Sequence, residues 1–465
     1  MAFARSGERL KSLFSAQDMS KGAPWKRILE FSLPMLIGNL AQQMYNTADS
    51  VIVGYYVGDN ALAAVGSASP ILNLLLALFV GVSTGAGILV AQYYGAREKE
   101  NLSNVIGNCM TLTIIVSAII MIIGPLVTRP LLSLLGTPES IFNWCSDYLI
   151  IYFLGILGFA AYNIFSGILR GLGDSFSALA FLIVATILNI GLDIWFVASF
   201  RMGVAGVALA TIIAQFISAI LCLIKLMHMH DVFVLKAKHL KIRGSYAGKV
   251  IKLGVPSGVT QAIFSMAMLV VQSLTNSFGE MVIACNVIVM RVDGFAMMPN
   301  FTFGQAMTTF TGQNVGAGRL DRVRSGAKQG TIMALICACI LTACILLFGP
   351  NLMAIFTDTA ELVDLSVHMM SILAVGYIAM AVTQSLSGVM RGAGDTMTPM
   401  WISLITTVVL RVPIAYGLAA LTKSPDSVFI SLLCSWVLGA VITFIAYRMG
   451  RWRKRVTKTF SEAEA

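Results

Sequence analysis

The chain has 465 residues, 57% of them hydrophobic and only 12% charged, against roughly 25% charged in an average soluble protein. That deficit excludes a soluble enzyme of ordinary composition and fits a chain immersed in lipid, where a charge at a helix centre is costly. The formal net charge of +10 would suit a nucleic-acid binder, but the basic residues gather at one set of predicted helix ends, so no nucleic-acid partner is expected.

Residues 1–27 are polar and basic and lack the short apolar run of a signal peptide, so they are read as a cytoplasmic segment. Apolar runs punctuated by turn residues then predict twelve spanning helices, at 29–53, 61–91, 104–127, 140–168, 176–199, 204–227, 249–276, 281–312, 329–348, 361–389, 397–421 and 427–448. Helix 1 carries Asp49 at membrane depth, and Pro34 near its start either marks that start or lets the helix bend. Gly81-x-x-x-Gly85 in helix 2 is a helix-packing pattern. On helix 5, Asn189 and Asp193 are four apart and share a face. An amide oxygen and a carboxylate together suit Na⁺ or a proton, with a hydroxyl from Thr211 on helix 6 and Asp49 closing the site. The alternative is that Asp193 is a structural acid paired with a neighbouring helix.

Residues 228–248 form a basic linker, long enough to let two lobes rock, in which His228, His230 and His239 are expected to be solvated. Its Gly244-Ser-Tyr-Ala-Gly248-Lys249-Val250 is one residue short of a phosphate-binding loop and lacks the Ser or Thr that would hold Mg²⁺, so no ATPase is expected. In the second half Pro256 repeats Pro34, and Gln261 is a polar candidate on helix 7. Helix 8 offers Arg291, Asp293 and Met297, helix 10 has Asp364 and His368 near its start, and helix 11 has Arg411. Asp293 and Arg411 either pair across helices as a structural bridge or face substrate. Met266, Met268, Met297, Met298 and Met307 either line a soft binding surface or fill ordinary core. The eight cysteines lie scattered in apolar stretches and are read as small hydrophobes. Residues 449–465 are a basic tail.

The two halves are copies. Arg170-Gly-Leu-Gly-Asp174 recurs in the second half as Arg391-Gly-Ala-Gly-Asp395, and the same offset relates Gly58-Asp59 to Gly279-Glu280 and Gln92 to Gln313. Leu33-Pro34 and Val255-Pro256 match at an offset larger by one. Six crossings per copy make this a parallel repeat, an N-lobe at 28–227 and a C-lobe at 249–448. Lys and Arg crowd the N-terminal segment, the linker, the Arg319–Lys328 stretch and the tail, while Arg129, Arg201 and Lys423 stand alone at the other ends. Both termini are therefore expected in the cytoplasm.

Taken together, Tyr45-Asn-Thr-Ala-Asp49, Gln92-Tyr-Tyr-Gly-Ala96, the two arginine turns, Asn189-Ile-Gly-Leu-Asp193 and Gly312-Gln-Asn-Val-Gly-Ala-Gly318 resemble the multidrug and toxic compound extrusion (MATE) family over residues 25–450. The resemblance implies two six-helix lobes, a central cavity, and export of organic cations in exchange for Na⁺ or H⁺. It places cation coupling at Asp49, Asn189, Asp193 and Thr211, as the metal ligands if the ion is Na⁺. Another branch carries acids at the middle of helices 7 and 10, where this chain has none. The expectation is an all-α polytopic antiporter of the plasma membrane, monomeric, without a resident cofactor, acting on a small organic solute. The substrate cavity would draw on Gln261, Arg291, Asp293, Met297 and Arg411. The rivals are a lipid-linked precursor flippase of related fold, which would want more cavity-facing cations, and a membrane enzyme, which would want clustered metal ligands.

Overall fold

The computed structural model describes residues 16–453, and every regular element among them is helical. In chain order these are α1 (Pro24–Tyr56), α2 (Asp59–Ala96), α3 (Lys99–Leu134), α4 (Glu139–Leu154), α5 (Ile156–Gly171), α6 (Ser175–Asp193), α7 (Gly203–Met227), a short α8 (Ala237–Leu240), α9 (Gly244–Asn276), α10 (Glu280–Gly316), α11 (Leu320–Ala354), α12 (Ala360–Ala374), α13 (Gly376–Gly392), α14 (Met397–Leu404), α15 (Arg411–Thr422) and α16 (Asp426–Met449). A π-helical stretch, Ile194–Ser199, continues α6, and another, Ile405–Leu410, joins α14 to α15. Among the described residues nine helices are long and apolar enough to cross a membrane, or eleven when each of two bent pairs counts as one span. With α1, whose 33 residues exceed the ~20 that a bilayer core requires, the chain is a polytopic all-α membrane protein of the expected order.

The bends correct two expected helices. The runs 140–168 and 361–389 are each broken, at Gly155 and at Val375, by 54° and 41°. The two prolines are also placed differently from a helix-start signal. Pro34 and Pro256 lie inside α1 and α9. There each removes a main-chain hydrogen bond from the helix interior.

The repeat holds at the level of backbone angles. Gly58 and Gly279, which precede α2 and α10, have φ of 103° and 96°. Gly173 and Gly394 have φ of 86° and 91°, and Arg201 (φ 53°) has its counterpart in Lys423 (φ 51°). The tight turn thus uses the second glycine of each arginine motif, because only a residue without a Cβ takes this φ freely. The first glycine does something else. A Cβ on Gly171 would stand 2.6 Å from the Gly87 carbonyl oxygen, and one on Gly392 would stand 2.3 Å from that of Thr308. These glycines let α5 lie against α2 and α13 against α10. After each turn an aspartate caps the next helix. Asp174 accepts from the Ser177 amide (2.9 Å) and hydroxyl (2.7 Å), and Asp395 accepts from the Thr398 amide (3.2 Å) and hydroxyl (2.7 Å). Burial pushes the Asp174 carboxyl up, against the pull of Ser177 and of Lys225 3.8 Å away.

Packing divides the chain into two compact units. Among the described residues, one comprises 16–18 together with Leu33–Val255, and the other comprises Met19–Ser32 together with 256–453. The boundaries expected at 28, 228 and 249 are therefore shifted. The linker is packed rather than loose: Met229 and Phe233 join the core of the first unit, with Leu169, Cys222 and Val250. His239 is 1% exposed, with Nε2 3.2 Å from Glu100 and Nδ1 accepting from the Lys236 amide, so the expected solvated histidine is a buried one. The eight cysteines are free thiols, and four of them are buried.

Candidate functional site

The residues with the most unusual placement lie where α6 runs along α7. Asn189 and Asp193 are wholly buried, and Thr211 on α7 is 6% exposed. The Asn189 amide nitrogen reaches the Thr211 hydroxyl at 3.5 Å. The Asn189 amide oxygen, also buried, accepts no hydrogen bond from any described residue. Asp193 stands one turn further along the face of Asn189, at the last α-helical position before the π stretch Ile194–Ser199. A π turn is a local widening that recurs at functional sites. Asp49 is on α1, but its side chain lies outside the described residues.

Two of the four expected coupling residues, Asn189 and Thr211, therefore meet across α6 and α7, with Asp193 buried one turn along α6. The donor set is a carboxylate, an amide oxygen and a hydroxyl, all hard oxygen ligands suited to a hard cation rather than a transition metal. An unsatisfied buried amide oxygen costs about 1–3 kcal/mol, and a cation or its water would satisfy it. Sequence reasoning missed Gln215, four residues after Thr211 on α7. It is 5% exposed and its amide oxygen also accepts nothing among the described residues. An uncharged glutamine in an apolar helix gives no charge signal to find it by.

The second unit is arranged otherwise. The expected Asp293–Arg411 bridge is not formed. Asp293 on α10 accepts from the Tyr377 hydroxyl on α13 at 2.9 Å, while buried Arg411 donates from Nε to the Ser435 hydroxyl on α16 at 3.1 Å. Each charge has a neutral hydrogen-bond partner on a neighbouring helix, and the two interact through space without direct contact. Arg291 and Gln261 are exposed side chains. Met297 and Met307 are core residues, 7% and 0% exposed, whereas Met266 (67%) and Met268 (44%) are uncovered. The core reading holds for the first two methionines. Asp364 is exposed, and His368 Nε2 sits 3.2 Å from Asp426. Among the described residues no three His, Cys, Asp or Glu side chains cluster as a metal site.

The sequence profile of the MatE family matches this chain twice, over residues 34–195 and 256–417. The chain belongs to the MatE family. The two matched stretches begin at Pro34 and at its counterpart Pro256, so the profile finds the same duplication as the backbone angles. Similar proteins of Bacillus subtilis (strain 168) include the probable multidrug resistance protein YpnP, 29% identical over 453 residues, which cover 96% of this chain and 99% of YpnP. The probable multidrug resistance protein YoeA is 27% identical over 450 residues, covering 95% of this chain and 97% of YoeA. Among solved structures, an outward-facing multidrug resistance MATE family transporter of the MOP superfamily has a similar fold. It gives a TM-score of 0.88 at 24% identity, over 95% of this chain and 98% of that one. As a MATE family member, the protein is a multi-pass membrane transporter and not an enzyme.

Proposed function

We propose that this MATE protein is a secondary antiporter that exports organic, cationic, drug-like solutes in exchange for Na⁺ or H⁺ by alternating access. It works as a monomer, without a resident cofactor, in the plasma membrane with both termini in the cytoplasm. The observation that carries the coupling site is the buried Asn189–Asp193–Thr211 group, with an amide oxygen that no described residue satisfies. Asp49, Asn189, Asp193 and Thr211 take the coupling cation. Loading removes net charge from a desolvated site, and a carboxylate near another carboxylate cannot stay ionised there without a cation or proton. The solute must bind with different affinity in the two states, because a ligand with equal affinity for both shifts nothing. Relatives named as probable multidrug resistance proteins support the solute class. The flippase alternative is weakened because Arg411 is buried against Ser435, which leaves Arg291 as the exposed cation of the two.

The test is efflux of a fluorescent organic cation from vesicles holding the purified protein, driven by a Na⁺ gradient and by a pH gradient in separate runs. One gradient should drive efflux and the other should not. Equal rates with both gradients collapsed would remove the antiport reading.

A further inference from the structure

Two matched sets of side chains grip main chain at the start of α1 and of α9. In the second unit the Met19 amide donates to Gln313 Oε1 at 2.8 Å. The Met19 carbonyl accepts from Asn314 Nδ2 (3.3 Å) and Arg322 Nη2 (3.1 Å), that of Ser20 from Arg319 Nη1 (3.1 Å), and that of Gly22 from Arg322 Nη1 (2.7 Å). The Trp25 amide, in the first turn of α1, donates to Gln329 Oε1 at 3.0 Å. Arg322 is itself held, with Nε donating to Asn314 Oδ1 at 2.9 Å. Met19, Ile28 and Phe31 are fully buried.

The first unit repeats the arrangement at the start of α9. Val234 N donates to Ser103 Oγ (3.2 Å), Thr111 Oγ1 donates to the Leu240 carbonyl (2.7 Å), and Arg243 N donates to Asn108 Oδ1 (2.7 Å). The Tyr246 hydroxyl donates to Asn101 Oδ1. Gly85 on α2 completes it. A Cβ there would lie 2.5 Å from the Val250 carbonyl oxygen, so the Gly81–Gly85 pattern is spent on the entry of α9. Asn101 matches Arg322, and Asn108 matches Gln329, at the offset that relates Arg170 to Arg391. Asn108 takes the entry amide of α9 and Gln329 that of α1. The first amides of a helix have no partner within it, so a side chain that takes them fixes both the position and the direction of entry.

We infer that these are two backbone clamps that stay shut throughout transport. Gln313, Asn314, Arg319, Arg322 and Gln329 make residues 19–32 a captive part of the second compact unit. Asn101, Ser103, Asn108 and Thr111 make the linker and the start of α9 a captive part of the first. They are positioning residues, which touch neither solute nor coupling ion. Each fixes one end of a helix whose other end belongs to the other unit, since the units divide at Ser32/Leu33 and at Val255/Pro256. Any displacement of one unit is then delivered into the remainder of α1, which carries Asp49, instead of being lost in a slack terminus. The role in transport rests on the antiport reading. The captive state of residues 19–32 does not.

The two are separated by measuring amide hydrogen exchange alongside efflux, on the full chain in lipid nanodiscs. In the wild type, residues 19–32 should exchange as slowly as α11, in sodium and in sodium-free buffer alike. Arg322→Ala should speed exchange across 19–25 by about tenfold or more, the effect of losing about 1.4 kcal/mol of local stability, while Leu33–Tyr56 is unchanged. Arg322→Lys should restore part of this protection. Gln313→Ala provides a second variant should Arg322→Ala not insert. In efflux, Arg322→Ala and Asn108→Ala should lower kcat with KM retained. Loss of protection at 19–32 on changing the cation, or no change in Arg322→Ala, would overturn the clamp. Protection that responds as expected, with kcat unaltered, would overturn its positioning role.

Discussion

Replacing Asp193 with Asn tests the proposed coupling site most directly, because it keeps the shape of a side chain with no exposed surface and removes only its charge. A cation at about 2.4 Å from a carboxylate oxygen, in a medium of effective dielectric about 20, gains roughly 7 kcal/mol. Dehydration of the ion takes back much of this. If two-thirds is lost, about 2 kcal/mol remains, more than tenfold in ion affinity. Driving a two-state protein from 1:99 to 99:1 requires about 5.5 kcal/mol of differential binding. The net gain from Asp193 alone covers less than half of that figure, so the remaining oxygen ligands must supply the rest, and the neutral amide removes the largest single share. Asp193→Asn is therefore expected to abolish gradient-driven efflux in protein that is inserted and monodisperse, and Asn189→Ala to weaken coupling less, because Asn189 contributes a dipole and not a charge. The assay is dye efflux from vesicles under each gradient, with insertion checked on the same preparation. Normal rate and normal gradient dependence in Asp193→Asn would eliminate the site as the coupling element.

Three further expectations follow from the geometry. Gly392→Ala and Gly171→Ala force a methyl to within 2.3 and 2.6 Å of a backbone oxygen and should each lower stability by about 1–3 kcal/mol. Gly248→Ala, with nothing within 4 Å, should leave the thermal midpoint in detergent unchanged or raised, and equal midpoints for all three would refute the packing argument. Asp293→Asn and Arg411→Met should show a coupling well below the roughly 3–5 kcal/mol of a broken buried pair, because Asp293 bonds to Tyr377 and Arg411 to Ser435 and they meet only through space. A double variant that recovers stability would restore the bridge the structure lacks. A cysteine at 236 in a background without native thiols should resist an impermeant external reagent in sealed cells while one at 423 reacts, and the opposite pattern would reverse the orientation.

The parts of this fold that are legible in the sequence are those that demand an unusual residue. A turn with φ of 86–103° favours glycine far more strongly than the 51–53° at Arg201 and Lys423, so Gly58, Gly173, Gly279 and Gly394 announce the repeat. A helix entry recruits an oxygen side chain, so Asp174 and Asp395 announce their caps. The same reasoning finds Asn189 and Asp193, because an acid in an apolar helix stands out and a spacing of four sets its face. The bends at Gly155 and Val375 leave no such mark, since no proline stands at either break. The linker reads as loose in sequence because its anchors are side chains of α3 bonding to its main chain, and a main-chain partner has no signature there. Asp293 and Arg411 match by charge alone, and a hydroxyl from Tyr377 or Ser435 competes for either without altering any pattern.

The duplication also shows what a repeat conserves and what it releases. Turns, caps and close approaches recur at matching positions in the two halves because each fixes backbone geometry, and two copies of one frame need the same geometry twice. The buried charges beside the π stretches do not recur. The first unit buries an acid and an amide on α6, directly before the π stretch Ile194–Ser199, while the second buries an arginine directly after the π stretch Ile405–Leu410. Each π stretch thus adjoins a buried ionisable side chain in a span that is otherwise apolar. A π stretch interrupts the regular ladder of main-chain hydrogen bonds, and such interruptions recur at functional sites. An acid with oxygen donors lies beside one π stretch and an arginine bonded to Ser435 beside the other, and this asymmetry is what the proposed coupling site in the first copy rests on. The asymmetry of the charges, laid on a symmetric frame, is the reason to look for coupling in one half alone.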